Sequence, residues 1–224
     1  MMYSANVKAR AMAARLLTAA GYQALTRMAT AGQKIWLRDN PHCGHAAVLE
    51  DARKLACHIH ERWAKNIITK LGHGLAEGDM GVDFYLSLWR EIPRGHALGA
   101  ILAMEIDLRN ILWMYRLKHS FGVDGQEIFG HLIPLGSGFI KKMAMTKGVS
   151  GLLEEVSGSK YAGVFPDFNH AEHRLATAMQ QKYRNESRKH PNTIIPLCGY
   201  LFEKYLESRK ISAIMENTRK GNIA

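Results

Sequence analysis

At 224 residues, 47% of them hydrophobic and 8% aromatic, the chain has the composition of a globular protein with one good core or two small ones, which excludes intrinsic disorder. A formal charge of +10 and a pI near 9.6 favour an anionic partner: nucleic acid, phospholipid headgroups or an acidic protein. No run of about eighteen apolar residues occurs, so no segment reads as a membrane span, and three scattered cysteines (Cys43, Cys57, Cys198) suit a reducing compartment, the cytosol, better than a disulfide framework.

From Met1 to Arg38 there is no acid, while Lys8, Arg10, Arg15, Arg27, Lys34 and Arg38 are basic. Such a start has the composition of an organellar transit peptide. The apolar spacing of Val7, Met12, Leu16 and Leu17, however, runs on through Tyr22 and Leu25 without a cleavage-like break, and a first structural helix is the better reading. Strand signals are poor throughout, because β-branched residues are few and period-two alternation never lasts. The chain is expected to be all-α. Periodicity predicts helices over 4–20, 22–30, 46–72, 82–91, 96–119, 125–131, 137–146, 150–156, 168–188 and 194–219. Breaks are expected at Gly21, Asn40–Pro41, Gly72–Gly78, Pro93–Gly95, Gly122–Gly125, Pro134–Gly138, Gly158–Gly163 and His190–Pro191.

Of these elements the segment Gly99–Gly122, "GAILAMEIDLRNILWMYRLKHSFG", is the most unusual. It is apolar over most of its circumference, which predicts burial, yet it carries Glu105, Asp107, Arg109, Asn110 and Arg116. Glu105 and Arg109 stand at i,i+4 with the acid first, a favourable pair, while Asp107 and Asn110 share an edge one turn apart; together they read as a paired, solvated ridge. Ser120, Gly122 and Gly125 are expected to end this helix, and Asp167 and Asn169 to cap the next long one. One hundred residues on, "GYLFEKYLESRKISAI" repeats the register: Gly99/Gly199, Arg109/Arg209 and Ile111/Ile211 are identical, and Asp107/Glu207 are both acidic. An internal duplication is inferred.

Sites of chemistry are scarce. The stretch "HCGHAAVLEDARKLACHIH" holds His42, His45, Cys57 and His60, ligand types suited to zinc but in no recognised spacing, and they rank only as minor metal candidates. No phosphate-cradling GxxxxGK[ST] loop exists, which argues against ATP hydrolysis by that route. "LIPLGSGF" contains part of a nucleophile elbow without the strand that an elbow needs. It reads instead as a structural turn in which Pro134 stops one helix, Gly136 supplies an unusual backbone angle and Gly138 follows. In and beside the basic stretches "KYRNESRKH" and "RKISAIMENTRKG", Glu186, Glu207 and Glu216 are interleaved with the basic residues, as on solvated helix faces, and this weighs against a nucleic-acid groove.

The segments "DLRNILWMYRLKHSFG", "EIFGHLIPLGSGF", "HAEHRLATAMQQ" and "HPNTIIPLCGYLFEKYLESRKISAIMENTRKG", in this order and preceded by "YSANVKARAMAARLL", resemble the C/d subunit of the archaeal- and vacuolar-type (V-type) rotary ATPases. The resemblance implies an all-helical fold of repeated units round a funnel-shaped body. It also implies a non-catalytic task in ion transport, that of a socket between the rotating central stalk and the membrane proteolipid ring. No cofactor and no small-molecule substrate are implied, and the place is cytoplasmic, peripheral to the inner face of the membrane. Members of that family are longer, with three units. Here two are expected, 1–138 and 139–224, and a homo-oligomer would rebuild a larger body. Under this resemblance Asp107, Arg109, Asn110, Arg116 and Lys118, with Glu207, Arg209 and Lys210, are expected to line the inner wall, pairing with each other or holding the stalk. Lys8, Arg10 and Arg15 are expected near the ring or lipid surface. The competing expectation is a stand-alone helical binding module with an acidic-protein or RNA partner.

Overall fold

A computed structural model describes residues 2–78 and 80–221. Among the described residues every regular element is helical. The helices are α1 (Tyr3–Ala13), α2 (Ala19–Thr26), α3 (Thr30–Asp39), α4 (His45–Ala56), α5 (Arg62–Glu77), α6 (Val82–Glu91), α7 (Ala97–Arg116, continued by a π-helical turn Leu117–Phe121), α8 (Gln126–Phe129), α9 (Gly138–Ala144), α10 (Gly148–Ser157), α11 (Ala171–Lys189) and α12 (Ile195–Gly221). None is long and apolar enough to cross a membrane.

The chain divides into two compact units, but not at the predicted boundary of 138/139. One unit joins Met1–Met80 to Glu186–Ala224, and the other is Gly81–Asn185. The reason lies in α12, which packs against α1 to α5. Asn6 on α1 donates to the carbonyls of Pro191 (3.0 Å) and Thr193 (3.3 Å) at the approach to α12, and Leu25, Cys43 and Ile211 share one buried cluster with Trp36 and Ile214 at its edge. The turn at Pro134–Gly138, taken from the sequence as the divide, lies inside the second unit.

Two predicted helices also differ, and one helix was not predicted. The first helix ends at Ala13, not near 20, because the chain turns over Ala14–Leu16 and Thr18 restarts it as an N-cap, its hydroxyl accepting from Gly21 N at 3.3 Å. Residues Thr30–Asp39 form a helix that the sequence concealed behind Gly32 and a short apolar pattern. The predicted helix 46–72 is two helices, α4 and α5, folded back on each other across Cys57–Glu61. In one continuous helix residues 52 and 72 would stand about 30 Å apart. Here a Cβ on Gly72 would lie 2.3 Å from Ala52 Cβ, so Gly72 is a contact glycine inside α5, and the helix stops at Gly78 in a left-handed conformation (φ +72°). Gly72→Ala is therefore expected to destabilise the protein by about 1–3 kcal/mol through overpacking. Adding Ala52→Gly should return that loss, less the roughly 1 kcal/mol that a glycine costs within a helix. Denaturant titration followed by circular dichroism measures both, and a Gly72→Ala chain as stable as the parent would refute the close approach.

In the second unit α7 carries the core. Ile101, Leu102, Ile106, Leu108, Ile111, Leu112 and Met114 are all buried, as its nearly all-round apolar pattern requires. Gly122, at φ +64°, closes the π-helical turn, as expected of a glycine past a helix end.

Candidate functional site

The charged and polar residues of α7 are paired, but they do not form a solvated ridge. Glu105 is 6% exposed, Asp107 3% and Asn110 0%. Burial of such groups is tolerated only where every polar atom finds a partner, and each finds it elsewhere in the second unit. Arg109 Nη2 lies 3.0 Å from Glu105 Oε1, as the i,i+4 spacing predicted, and Tyr85 on α6 donates to the same oxygen at 2.8 Å while the Arg109 guanidinium sits over its ring. Burial, with the Glu105 charge next in effect, pushes the Tyr85 hydroxyl well above its ordinary pKa, so it remains a donor.

Asp107 and Asn110, on one edge of α7, grip the chain between Ile133 and Ser137. Asn110 accepts from Ile133 N at 2.9 Å and donates to Ile133 O at 3.0 Å, so one amide side chain closes a two-bond ring with one backbone residue. Asp107 accepts from Ser137 N at 2.9 Å, just ahead of α9, and from Tyr161 Oη at 2.7 Å; the Lys160 ammonium lies 3.8 Å away. Burial, then the hydrogen bond to Asp107, raises the Tyr161 pKa. The expectation for Gly136 is corrected in kind: its φ is not positive, and what it supplies is space, since a Cβ there would meet Asn110 Nδ2 at 2.9 Å and Ile140 Cγ1 at 3.3 Å. Pro134 lies exposed in this turn, and Gly138 opens α9 with nothing within 4 Å of the point where a Cβ would stand.

Lys118 is likewise internal. Its side chain is fully buried, and its ammonium donates to Asp124 Oδ1 (2.5 Å) and to the carbonyls of Thr146 (2.6 Å) and Ala144 (3.4 Å), tying the end of α7 to the α9–α10 turn. The bond from Lys118, then that from Gly148 N, holds the Asp124 carboxyl below its ordinary pKa. In the first unit Glu207 on α12, which the sequence aligned with Asp107, performs the same kind of task. It is 3% exposed, accepts from Leu17 N at 2.5 Å and pairs with Lys204, itself 2% exposed. Each of these aligned acids thus receives a backbone N–H from a turn that leads into a helix, together with one side-chain donor.

As partner-facing residues, then, Asp107, Asn110, Lys118 and Glu207 are corrected to internal clamps, and Arg109 to a mostly buried partner of Glu105. Three of that group remain at the surface. Arg116 reaches Glu172 at 2.8 Å with half its side chain exposed, Arg209 is exposed with its guanidinium 5.8 Å from the Tyr205 ring, and Lys210 is exposed with its ammonium 5.4 Å from the Tyr22 ring. Lys8, Arg10 and Arg15 are also exposed.

The metal candidates do not gather. Among the described residues no three His, Cys, Asp or Glu side chains converge as ligands would. His45 turns its ring to α12 instead, Nδ1 3.3 Å from Ser208 Oγ and Nε2 3.2 Å from Ser212 Oγ, and Cys57 is exposed. Sequence reasoning missed Tyr85, Tyr161, Lys204 and the buried pair Tyr200–Asp51 (2.5 Å). Tyr161 meets its partner 54 positions away and Tyr200 meets its own 149 positions away, so no local pattern announces them.

The clamped turn also shapes a surface. Between α8, the turn and α9 lies a half-open cleft of about 440 Å³ lined by Phe129, Leu132, Ile133, Pro134, Ile140 and Lys141, with Gly136 and Ser137 in its wall. The sequence model of the ATP synthase (C/AC39) subunit family matches residues 83–222. No curated protein and no solved structure matches the chain.

Proposed function

This chain belongs to the ATP synthase (C/AC39) subunit family, and from that premise we propose that it is the non-catalytic coupling subunit of a rotary ATPase, joining the central stalk to the proteolipid ring. The observation that carries the reading is the family match over residues 83–222, which takes in α7, the clamped turn and α12. The physics of the task agrees with it. A part that transmits torque must resist deformation, and buried side chains that hold backbone to backbone, as Asn110, Asp107, Lys118 and Glu207 do, stiffen helix junctions that apolar packing alone leaves free to slide.

The place of action is the inner face of the membrane, reached through partners. The basic excess, with Lys8, Arg10 and Arg15 exposed, supports a seat close to anionic headgroups. Arg209 and Lys210, exposed on the longest helix, are the residues proposed to meet the stalk by charge.

The test is a pull-down of the purified chain with the central-stalk subunits of the same organism at moderate salt, with stoichiometry read by mass. A defined complex is expected. The double variant Arg209→Glu/Lys210→Glu should weaken it by about tenfold or more with helix content unchanged. Unaltered affinity would remove these two residues from the interface, and no complex with competent stalk subunits would overturn the coupling role in favour of a stand-alone binding module.

A further inference from the structure

The face of α4 that carries Glu50, Asp51 and Lys54 bounds, together with α1, the turn at Pro41 and α12, a cleft of about 210 Å³ that lies wholly within the first unit. Its size suits a small metabolite or a single headgroup, because drug-sized sites run to roughly 300–1,000 Å³.

Asp51 sets this cleft apart. It lines the cleft at 8% exposure, yet the one hydrogen bond that it receives among the described residues comes from the neutral Tyr200 hydroxyl, at 2.5 Å on Oδ2. Its Oδ1 has no donor from the protein there and is not sealed from the cleft. A carboxylate enclosed to this degree ordinarily has a cation beside it, since a lone charge is costly to remove from water. Three cations line the same cleft, and none takes that place. Lys54 pairs with Glu50 at 3.3 Å on the exposed rim, Lys204 pairs with Glu207, and exposed Arg15 makes no ion pair among the described residues. Burial, then the bond to Asp51, raises the Tyr200 pKa, so Tyr200 remains a donor to Asp51; the Arg15 charge acts on the same hydroxyl in the opposite sense.

With Lys54 and Lys204 matched by Glu50 and Glu207, the cleft is left with one cation, Arg15, and one anion, Asp51, that do not meet. Exposed His42 adds an imidazole to the lining, but among the described residues no three His, Cys, Asp or Glu side chains converge as metal ligands would. A free anion on Arg15 would face the Asp51 charge, and a simple cation on Asp51 would face Arg15. A ligand that carries both charges meets neither objection.

We propose that this cleft binds a small zwitterion, its ammonium donating to Asp51 Oδ1 and its singly charged anion held by the Arg15 guanidinium. Two sources offer that chemistry: a free α-amino acid, and the ethanolamine phosphodiester of a lipid headgroup. The inference goes beyond the coupling reading and does not depend on it.

The test is calorimetric titration of the full chain with glycerophosphoethanolamine, glycerophosphocholine, L-alanine and inorganic phosphate, beside flotation with phosphatidylcholine vesicles with and without phosphatidylethanolamine. Glycerophosphoethanolamine or L-alanine is expected to bind. Glycerophosphocholine should bind at least about tenfold more weakly than glycerophosphoethanolamine where the latter binds, because its quaternary ammonium has no N–H for Asp51. Asp51→Asn keeps an oxygen for Tyr200 and turns an amide to the cleft, while Arg15→Gln changes an exposed side chain with no partner to lose. Each should weaken binding by about tenfold or more, with the unfolding transition of Arg15→Gln like that of the parent. Binding of glycerophosphoethanolamine and of the phosphatidylethanolamine vesicles assigns the site to a lipid headgroup; binding of L-alanine alone assigns it to a free amino acid. Inorganic phosphate that binds as tightly as either zwitterion, an Arg15→Gln chain that binds like the parent, or a parent that binds none of the probes would each overturn the inference and leave the coupling role untouched.

Discussion

Replacing Asn110 by Ala is expected to lower stability by about 3 kcal/mol, although the residue touches no ligand and carries no charge. The cost has two sources. Ile133 N loses its acceptor inside the protein, whereas Ile133 O keeps the bond from Gly136 N at 3.3 Å, so one buried backbone group is orphaned and one is not. The rest is the void left by a fully buried amide. Asn110→Asp separates these terms. At neutral pH it places a carboxylate with no exposure one turn from Asp107, and burial and the like charge both raise its pKa above the ordinary carboxylate value of about 4. A group whose folded pKa is raised lowers stability above that pKa and relieves the strain as pH falls through it, because the folded state then binds the extra proton. A protonated carboxyl also donates and accepts, as the amide did. The Asp variant should therefore gain on the parent as the pH falls from 7 toward 4, while the Ala variant should not. Hydrogen exchange of the Ile133 and Ser137 amides gives the local reading, and equal pH trends for the two variants would refute the two-bond ring as the source of the effect.

The same residues show how far the sequence could be read. The helix over Gly99–Gly122 was legible because apolar positions recur round it, and the Glu105–Arg109 pair was legible because it is local. The positions of Asp107 and Asn110 on one edge were legible too, but not their task. Their partners are backbone atoms at 133 and 137, and backbone groups have no side-chain signature. A polar edge that holds a turn and a polar edge that holds another subunit therefore look alike until the turn is placed in space. Gly136 was flagged for the wrong property for the same reason: its need is room for Asn110, a tertiary fact. The division of the chain failed because α12 returns to α1–α5, and the apolar pattern of a helix says that it is buried without saying against what.

The second large effect concerns Lys204 and Glu207, three residues apart on α12 and each with a side chain about 2% exposed. Lys204→Met alone leaves a buried carboxylate with only the Leu17 N–H as donor, and Glu207→Gln alone leaves a buried ammonium without its counter-charge. Each is expected to cost about 3–5 kcal/mol. The double variant Lys204→Met/Glu207→Gln should recover most of that loss. No net charge then stays buried, the methionine fills the volume of the lysine stem, and the glutamine carbonyl still accepts from Leu17 N, which keeps the turn into α2 in place. Its coupling energy, from denaturant unfolding of the four chains, should be about 3 kcal/mol or more. Lys204→Met should in addition regain stability as pH falls, because the uncompensated Glu207 acquires a raised pKa and takes up a proton. Additive single losses would mean that the two groups serve separate partners. Strong coupling would mean that the pair acts as one unit, and that what α12 requires at this point is a fixed hold on Leu17, which a neutral pair can supply as well as a charged one.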